Sequence, residues 1–396
     1  MFHRSMFPPP SARTCVIETL GSEDHRPHER SGHCCATDGA NLYVFGGYHP
    51  EVHVSTPGIQ DITHYNHIFT DLWCYNLSLR KWMKLETTGE PPQQTASMSM
   101  LLSGNTLILF GGTIHPWGIV SNDQIYTLHL GERKWRVMNC TGSIPGKYGQ
   151  AMVMHQATLY VFGGCQRLSE EEHFFDSQLF QLDMRTKEWS SLLTSDHRED
   201  ATLAHNRGMY RHGLAFYDNK LYVIGSSWEE LWHLLYFEKI HVFNLETMRW
   251  SWEPTIPSEE SSSPQRRAYH SCVQWKSEVY MCGGHDHQQV LDDIWCLHLP
   301  ELRWQKIHTT LPQKTFFHAA SITETKCMYL FGGVKDLDER VRTSIVQRVW
   351  LDIPSLSELC WHQVLAQSPN LSTMSREQLV TLGIPRTFVE RLSPIR

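Results

Sequence analysis

Leu159-Tyr160-Val161-Phe162-Gly163-Gly164 is a short apolar run that stops on two glycines, and its recurrence decides the fold. Four further copies end in a glycine pair: Leu42 to Gly47, Leu107 to Gly112, Val279 to Gly284 and Met328 to Gly333. A sixth, degenerate copy runs from Leu221 to Ser226. Successive copies are 65, 52, 62, 58 and 49 residues apart. A period near 50 residues marks a repeat array, and the longer intervals leave room for loop insertions.

A second ladder keeps register with the first. Trp82, Trp135, Trp189, Trp250 and Trp304 each follow a copy. Five residues before each Trp stand Leu77, Leu130, Met184, Leu245 and Leu299, and seven before stand Tyr75, Leu128, Leu182, Phe243 and Leu297. Nine before stand Trp73, Tyr126, Phe180, His241 and Trp295, a period of two that predicts a strand with a buried face. Ten before comes a further apolar set, Leu72, Ile125, Leu179, Ile240 and Ile294, so both faces are buried at that end, as in stacked sheets. Glycine pairs at the ends of inner strands permit positive φ and close approach between neighbouring sheets. The pattern resembles kelch repeats and implies an all-β, six-bladed kelch β-propeller over residues 13–353.

The sixth copy reaches Val349-Trp350-Leu351 and stops at Pro354 before the usual Trp, leaving an open edge. Glu18-Thr19-Leu20-Gly21 matches Glu86-Thr87-Thr88-Gly89 on the outer strand of the first repeat. Cys15-Val16-Ile17-Glu18 is therefore expected to complete the last blade and join the two ends of the ring. Residues 1–12, with Pro8-Pro9-Pro10, are expected to be disordered.

Composition narrows the function classes. The chain has 396 residues, 41% apolar and 19% charged, an ordinary globular balance, and its net charge of −7 gives no general pull toward nucleic acid. No apolar run approaches the ~20 residues that span a bilayer, and the N-terminus lacks the apolar core of a signal peptide. Eleven scattered Cys without a C-x-x-C pair read as reduced thiols, which fits the cytoplasm and nucleus. Cys34 and Cys35 are neighbours on a predicted strand and are expected to face opposite ways.

Residues 354–396 change to helical patterning. Ser355 and Glu358 predict a capping box, followed by a stripe of Leu356, Leu359, Cys360 and Val364, widened by Trp361 and Leu365. Ser375 and Gln378 predict a second box ahead of Leu379 and Leu382. The first segment resembles the BC box that docks on elongin C. That box has a small polar residue, Leu, three variable residues, Cys, three variable residues and an aliphatic; Ser355, Leu356, Cys360 and Val364 match, with Leu359 beside them. Pro369-Asn370-Leu371 with Leu379 resembles a cullin-2 box, although Ser368 stands before the proline where an apolar residue is usual.

From about residue 25 to 392 the chain resembles the kelch-propeller substrate receptors of cullin-2 RING ubiquitin ligases. The resemblance implies elongin B/C and cullin-2 as partners and proteins bound through C-terminal tails, often ending in Gly or Ala. It implies no cofactor and no catalysis by the chain itself. A C-terminal carboxylate calls for a cationic fork, for which Arg211 and Arg267 are the candidates. Tyr269, Ser271, Tyr148, Gln150 and Phe317 are expected to line the groove, with Tyr48, Trp228 and His285 from loops after the glycine pairs. Thirteen residues before each first glycine lies a slot holding His33, Met98, Gln150, His212 and His270, with His318 one residue off register. These histidines predict a structural hydrogen-bonding role rather than metal binding, and His285-Asp286-His287 reads as a polar loop.

Two other function classes find less support in the sequence. A metal-dependent oxidase on this scaffold finds no signal peptide, no H-E-x-x-H, no nucleophile constellation and no phosphate-binding loop to support it. A cytoskeletal or signalling scaffold often carries an N-terminal BTB domain, and about thirty residues before the first blade are too few for one.

Overall fold

The computed structural model describes residues 15–18, 25–55, 61–167, 172–192, 208–225, 237–258 and 262–392. Residues 1–12 and Trp228 lie outside them. Six four-stranded antiparallel sheets form the blades of a propeller. Blade 1 runs from strand Cys34–Thr37 out to Lys81–Leu85, and blade 2 from Ala96–Ser103 to Lys134–Val137. Blade 3 runs from Ala151–His155 to Glu188–Ser191, blade 4 from Gly213–Tyr217 to Arg249–Pro254, and blade 5 from Ser271–Trp275 to Arg303–Ile307. Blade 6 contains Ala319–Ile322, Cys327–Phe331 and Val346–Trp350, and its fourth strand is Cys15–Glu18. Cys15 pairs with Val349 and Glu18 with Val346, antiparallel, so the N-terminal strand closes the ring as expected.

The repeat is an inter-blade joint. The apolar residue seven before each Trp is that Trp's cross-strand partner: Tyr75 with Trp82, Leu128 with Trp135, Leu182 with Trp189, Phe243 with Trp250 and Leu297 with Trp304. Each Trp then packs on a ring of the preceding blade. Trp82 meets Phe331 at 5.0 Å, Trp135 meets Phe45 at 4.9 Å, Trp189 meets Phe110 at 5.8 Å and Trp250 meets Phe162 at 4.9 Å. Those phenylalanines are the residues just before the glycine pairs. In blade 4 that place holds Ile224, and Trp304 packs on Phe237 instead. Cys34 and Cys35 do face opposite ways, one into the packing with blade 2 and the other into that with blade 6.

The first glycine of the pair seats a side chain of the next blade. A Cβ on Gly332 (φ +64°) would lie 2.6 Å from His33 Cε1 and 2.8 Å from the Arg30 carbonyl oxygen. Gly39 (φ +86°), in the turn between the two inner strands of blade 1, would meet nothing within 4 Å. Gly39→Ala is therefore expected to cost only left-handed backbone strain, about 1–2 kcal/mol. Gly332→Ala adds steric overlap worth about 1–3 kcal/mol more. Urea denaturation of the two variants checks the difference.

Two insertions leave the ring: a ribbon of Tyr48–Ser55 with Asp61–Ile68, which fills the longest repeat interval, and a short pair Cys165–Arg167 with His173–Phe175. The chain ends in helices α1 (Leu356–Gln367), α2 (Arg376–Thr381) and α3 (Arg386–Leu392), with a 3-10 turn at Pro369–Thr373. Ser375 and Gln378 form the full capping box expected for α2. At α1 only half of the predicted box is made. Ser355 accepts from the Glu358 amide, but the Glu358 carboxylate is buried and pairs with Arg391 of α3 at 2.7 Å.

The expected single stripe on α1 is split between two faces. Trp361 and Leu365 turn inward and pack with Leu371, Leu379, Val389 and Leu392 against Leu79 of blade 1. Trp361 Nε1 donates to Ser78 Oγ at 3.2 Å, and Asn76 Nδ2 donates to the Arg391 carbonyl at 2.9 Å. Leu356, Leu359, Cys360 and Val364 face outward, Leu356 at 76% exposure. The turn that carries Ser78 and Leu79 lies at the opposite end of the strands from the glycine pairs.

Candidate functional site

One slot of the repeat builds a collar around the ring axis at the glycine-pair end. It holds Gly32, Ser97, Gly149, Arg211, Tyr269 and Phe317, one from each blade. All six have positive φ, between 53° and 67°. Backbone hydrogen bonds link them head to tail: Ser97 N to Gly32 O (2.7 Å), Gly149 N to Ser97 O (2.8 Å), Arg211 N to Gly149 O (2.8 Å), Phe317 N to Tyr269 O (2.9 Å) and Gly32 N to Phe317 O (3.2 Å). Four of the six carry side chains where only glycine is unstrained, and retained strain of this kind clusters at functional sites.

Beneath the collar is the predicted structural slot. His33, Met98, Gln150, His212, His270 and His318 line the same recess of about 120 Å³. His318 joins the others because the hairpin of blade 6 is one residue longer: Ala319 pairs with Phe331 across twelve positions, whereas Cys34 pairs with Phe45 across eleven. His33 Nε2 donates to Phe331 O (3.0 Å), His270 Nε2 to Ile224 O (3.3 Å) and Gln150 Nε2 to Phe110 O (2.8 Å), each reaching the preceding blade. His33 and His270 thus staple neighbouring blades, the structural role expected of them.

Burial, the first cause in each case, pushes His33, His212 and His270 down to about 3 and His318 to about 4. Their folded pKa lies below the unfolded value of about 6.5, so the unfolded chain takes up protons first as pH falls. Their contribution to stability is complete above about pH 6.5 and is lost progressively toward pH 3. Urea midpoints are expected to drop steeply below pH 6. His33→Gln, which copies Gln150 in the same slot, should flatten that slope without abolishing the staple.

Arg211 is the charge of the recess. Its Nε donates to Tyr210 Oη at 2.8 Å, its Nη2 donates to Ser97 Oγ, and its guanidinium carbon lies 3.5 Å from the centre of the Phe317 ring. Burial works against its charge, but the phenol oxygens of Tyr210 and Tyr269 outweigh that and hold its pKa above the ordinary arginine value. Among the described residues no carboxylate pairs with it. Tyr269 stacks on Phe317 at 4.9 Å and on His285 at 5.4 Å, Tyr48 meets Phe317 at 6.1 Å, and Tyr148 meets Tyr210 at 5.5 Å. Arg211, Tyr269, Gln150 and Phe317 line the recess as one cup, and Tyr48, Tyr148 and His285 are packed behind that lining.

Two expected members are elsewhere. Arg267 is fully buried and spends its fork on Asp293, at 2.6 and 2.8 Å, so it is not a free carboxylate reader. It repeats a clamp that Arg30 makes with Asp71 and Lys147 with Asp176. Ser271 sits inside the channel, where Oγ donates to the His318 carbonyl at 2.9 Å, and lines a wider chamber of about 730 Å³. Ser97 and Tyr210, which hold the Arg211 guanidinium, belong to the site without having been named for it; Ser97 shares the repeat slot of Arg211, and that was the available signal. Asp286 caps its own loop, accepting from the amides of Gln288 (2.9 Å) and Gln289 (2.8 Å).

In the tail, Leu371 and Leu379 are buried in its small core and do not face a partner. Pro369 and Asn370 are exposed beside them.

The KLHDC2/KLHL20/DRC7 Kelch-repeats domain matches residues 11–225 and 200–384. Kelch domain-containing protein 10 of Homo sapiens is 39% identical over 370 residues, 93% of this chain and 80% of that protein. The Drosophila melanogaster kelch domain-containing protein 10 homolog is 29% identical, over 93% of this chain and 63% of its own length. Kelch domain-containing protein 2 of Bos taurus is 26% identical, over 78% of this chain and 76% of its own. With a propeller fold, a repeat model matching most of its length and relatives at this identity, the chain belongs to the kelch-repeat family, in the group of kelch domain-containing protein 10.

Proposed function

We propose that this chain is the substrate-recognition subunit of a cullin-2–elongin B/C RING ubiquitin ligase and binds C-terminal degrons in the collar cup. The observation that carries the reading is the outward stripe of Leu356, Leu359, Cys360 and Val364 on a helix whose other face is packed. That stripe matches the BC-box set, and an outward apolar row of this kind offers a docking surface for a partner. Its distance from the cup, at the far end of the strands, leaves the cup free to hold substrate while the tail is engaged.

The cup itself supports a carboxylate ligand. A guanidinium without an acidic partner among the described residues, fixed by Ser97, Tyr210 and Phe317, suits a bidentate carboxylate. A recess of about 120 Å³ admits a terminal residue with little or no side chain, in keeping with tails ending in Gly or Ala. In this reading the chain performs no chemistry, and ubiquitin transfer belongs to the RING partner. Cullin contact would fall to Pro369 and Asn370, with Leu371 and Leu379 supporting them from inside. Selection of C-terminal peptides against the purified chain, with amidated versions as controls, tests the cup. Equal recovery of free-acid and amidated peptides would overturn it.

A further inference from the structure

The collar has a high side and a low side. Blades 4, 5 and 6 put the large side chains of Arg211, Tyr269 and Phe317 over the recess. Blades 1, 2 and 3 supply Gly32, Ser97 and Gly149, no more than a hydroxymethyl group. A peptide that ends in the recess therefore leaves it over the low side. On that side stands the loop after the glycine pair of blade 2. A Cβ on Gly118 would lie 2.9 Å from the ring of Tyr148, the neighbour of Gly149 in sequence. The Trp117 ring packs on Tyr48 at 4.7 Å, and a Cβ on Gly32 would lie 3.2 Å from the ring of that same Tyr48. The loop thus adjoins the collar at blades 1 and 3 at once. Trp117 is partly buried, but Ile119 and Val120 beyond it are 51% and 45% exposed.

We propose that Ile119 and Val120 form a ledge that continues the cup and takes apolar side chains from the third to fifth residues before the end of the bound tail. The inference rests on the reading that a C-terminal tail is held in the recess, and it names the tails preferred. In an extended chain those residues lie roughly 7–14 Å from the terminal residue, enough to pass Tyr48 and Trp117. The ledge is braced. Thr113 Oγ1 accepts from the Gly118 amide and donates to the Val120 carbonyl, both at 2.8 Å. Asn122 Nδ2 donates to the carbonyls of Gly111 (3.2 Å) and Gln124 (2.9 Å), and Arg167 Nη1 reaches the Trp117 carbonyl at 3.4 Å from blade 3. Two β-branched side chains on a fixed loop lose little freedom when a ligand covers them, so most of the gain from excluding water is kept. The recess then reads the carboxylate, and the ledge separates apolar tails from polar ones.

The experiment compares two peptides by fluorescence polarisation on the full chain, each as free acid and as amide. One carries Leu at the third, fourth and fifth positions from its end, and the other carries Ser at all three. The parent should bind the Leu acid about five- to tenfold more tightly than the Ser acid. Ile119→Ser with Val120→Ser, at positions exposed enough to leave the fold intact, should bind both acids alike and still prefer acid to amide. Val137→Ser, an exposed apolar position on the outer strand of the same blade, should keep the Leu preference of the parent. A parent without that preference, or a double variant that retains it, would overturn the ledge. So would a parent that gel filtration shows to be a dimer and that the double substitution makes monomeric with its peptide preference unchanged, since the ledge would then belong to a second copy. Loss of acid-over-amide preference in the parent would instead strike the carboxylate reading of the recess.

Discussion

Replacing Arg211 with alanine is expected to cost about 2–5 kcal/mol of affinity for a peptide with a free C-terminal carboxylate, roughly 30-fold or more. The size follows from the geometry. Tyr210 and Ser97 each take one N–H of the guanidinium, and three of its five remain for ligand. Phe317 shields one face of the fork at 3.5 Å, so the charge acts in a poorly hydrated recess where an ion pair is strong. Arg211→Lys should not rescue binding, because an ammonium offers a point charge and no planar fork. An amidated peptide should bind the parent about as weakly as the free acid binds Arg211→Ala. The variant should no longer distinguish the two peptides. Fluorescence polarisation with matched acid and amide peptides reads all of this; a variant that still prefers the acid would mean that the carboxylate is read elsewhere.

The second large effect is at the tail. Leu356→Ala with Cys360→Ala should abolish capture of elongin B/C, since truncating anchors that a partner buries costs about 2 kcal/mol or more each. The free chain should keep its stability to within about 0.5 kcal/mol, because both side chains already face water, Leu356 at 76% exposure. Trp361→Ala is the contrasting case. Trp361 is 4% exposed and holds α1 on Ser78 and Leu79, so its loss should destabilise the tail by about 3–5 kcal/mol. That variant should also lose elongin capture, but together with helical circular dichroism. Co-purification read alongside the thermal melt separates lost contact from lost structure.

The ring was legible because its joints are covalently local. Phe162 and Gly163 are adjacent in sequence, and both meet blade 4: Phe162 packs under Trp250, and a Cβ on Gly163 would fall 2.6 Å from His212 Cε1. Every blade must repeat that arrangement, so the pattern appears six times. The collar was only half legible. Its slot lies one residue before the histidine slot, but the choice between Arg211 and Arg267 is not visible in the sequence, because position along a strand does not say what a guanidinium meets. A signal for Arg267 did exist: Arg30 and Lys147 occupy the same slot sixteen residues before a first glycine, and a cation repeated in alternate blades marks a clamp rather than a reader. The burial of Leu371 and Leu379 is not legible in the sequence for a related reason. An apolar residue in a short helix looks the same whether it awaits a partner or fills a core, and only the meeting of α1, α2 and α3 over Leu79 decides it.

The strand that seals blade 6 joins Cys15 to Val349, residues more than three hundred positions apart. During synthesis residues 15–18 must wait, without that partner, until Val346–Trp350 has left the ribosome. Bringing such distant partners together carries a large loop-closure entropy, so the final zipping is expected to be slow and to lock all six sheets at once. A translation product halted before residue 346 has no partner for its own beginning. It would expose two bare sheet edges, the kind of surface on which unfinished chains aggregate.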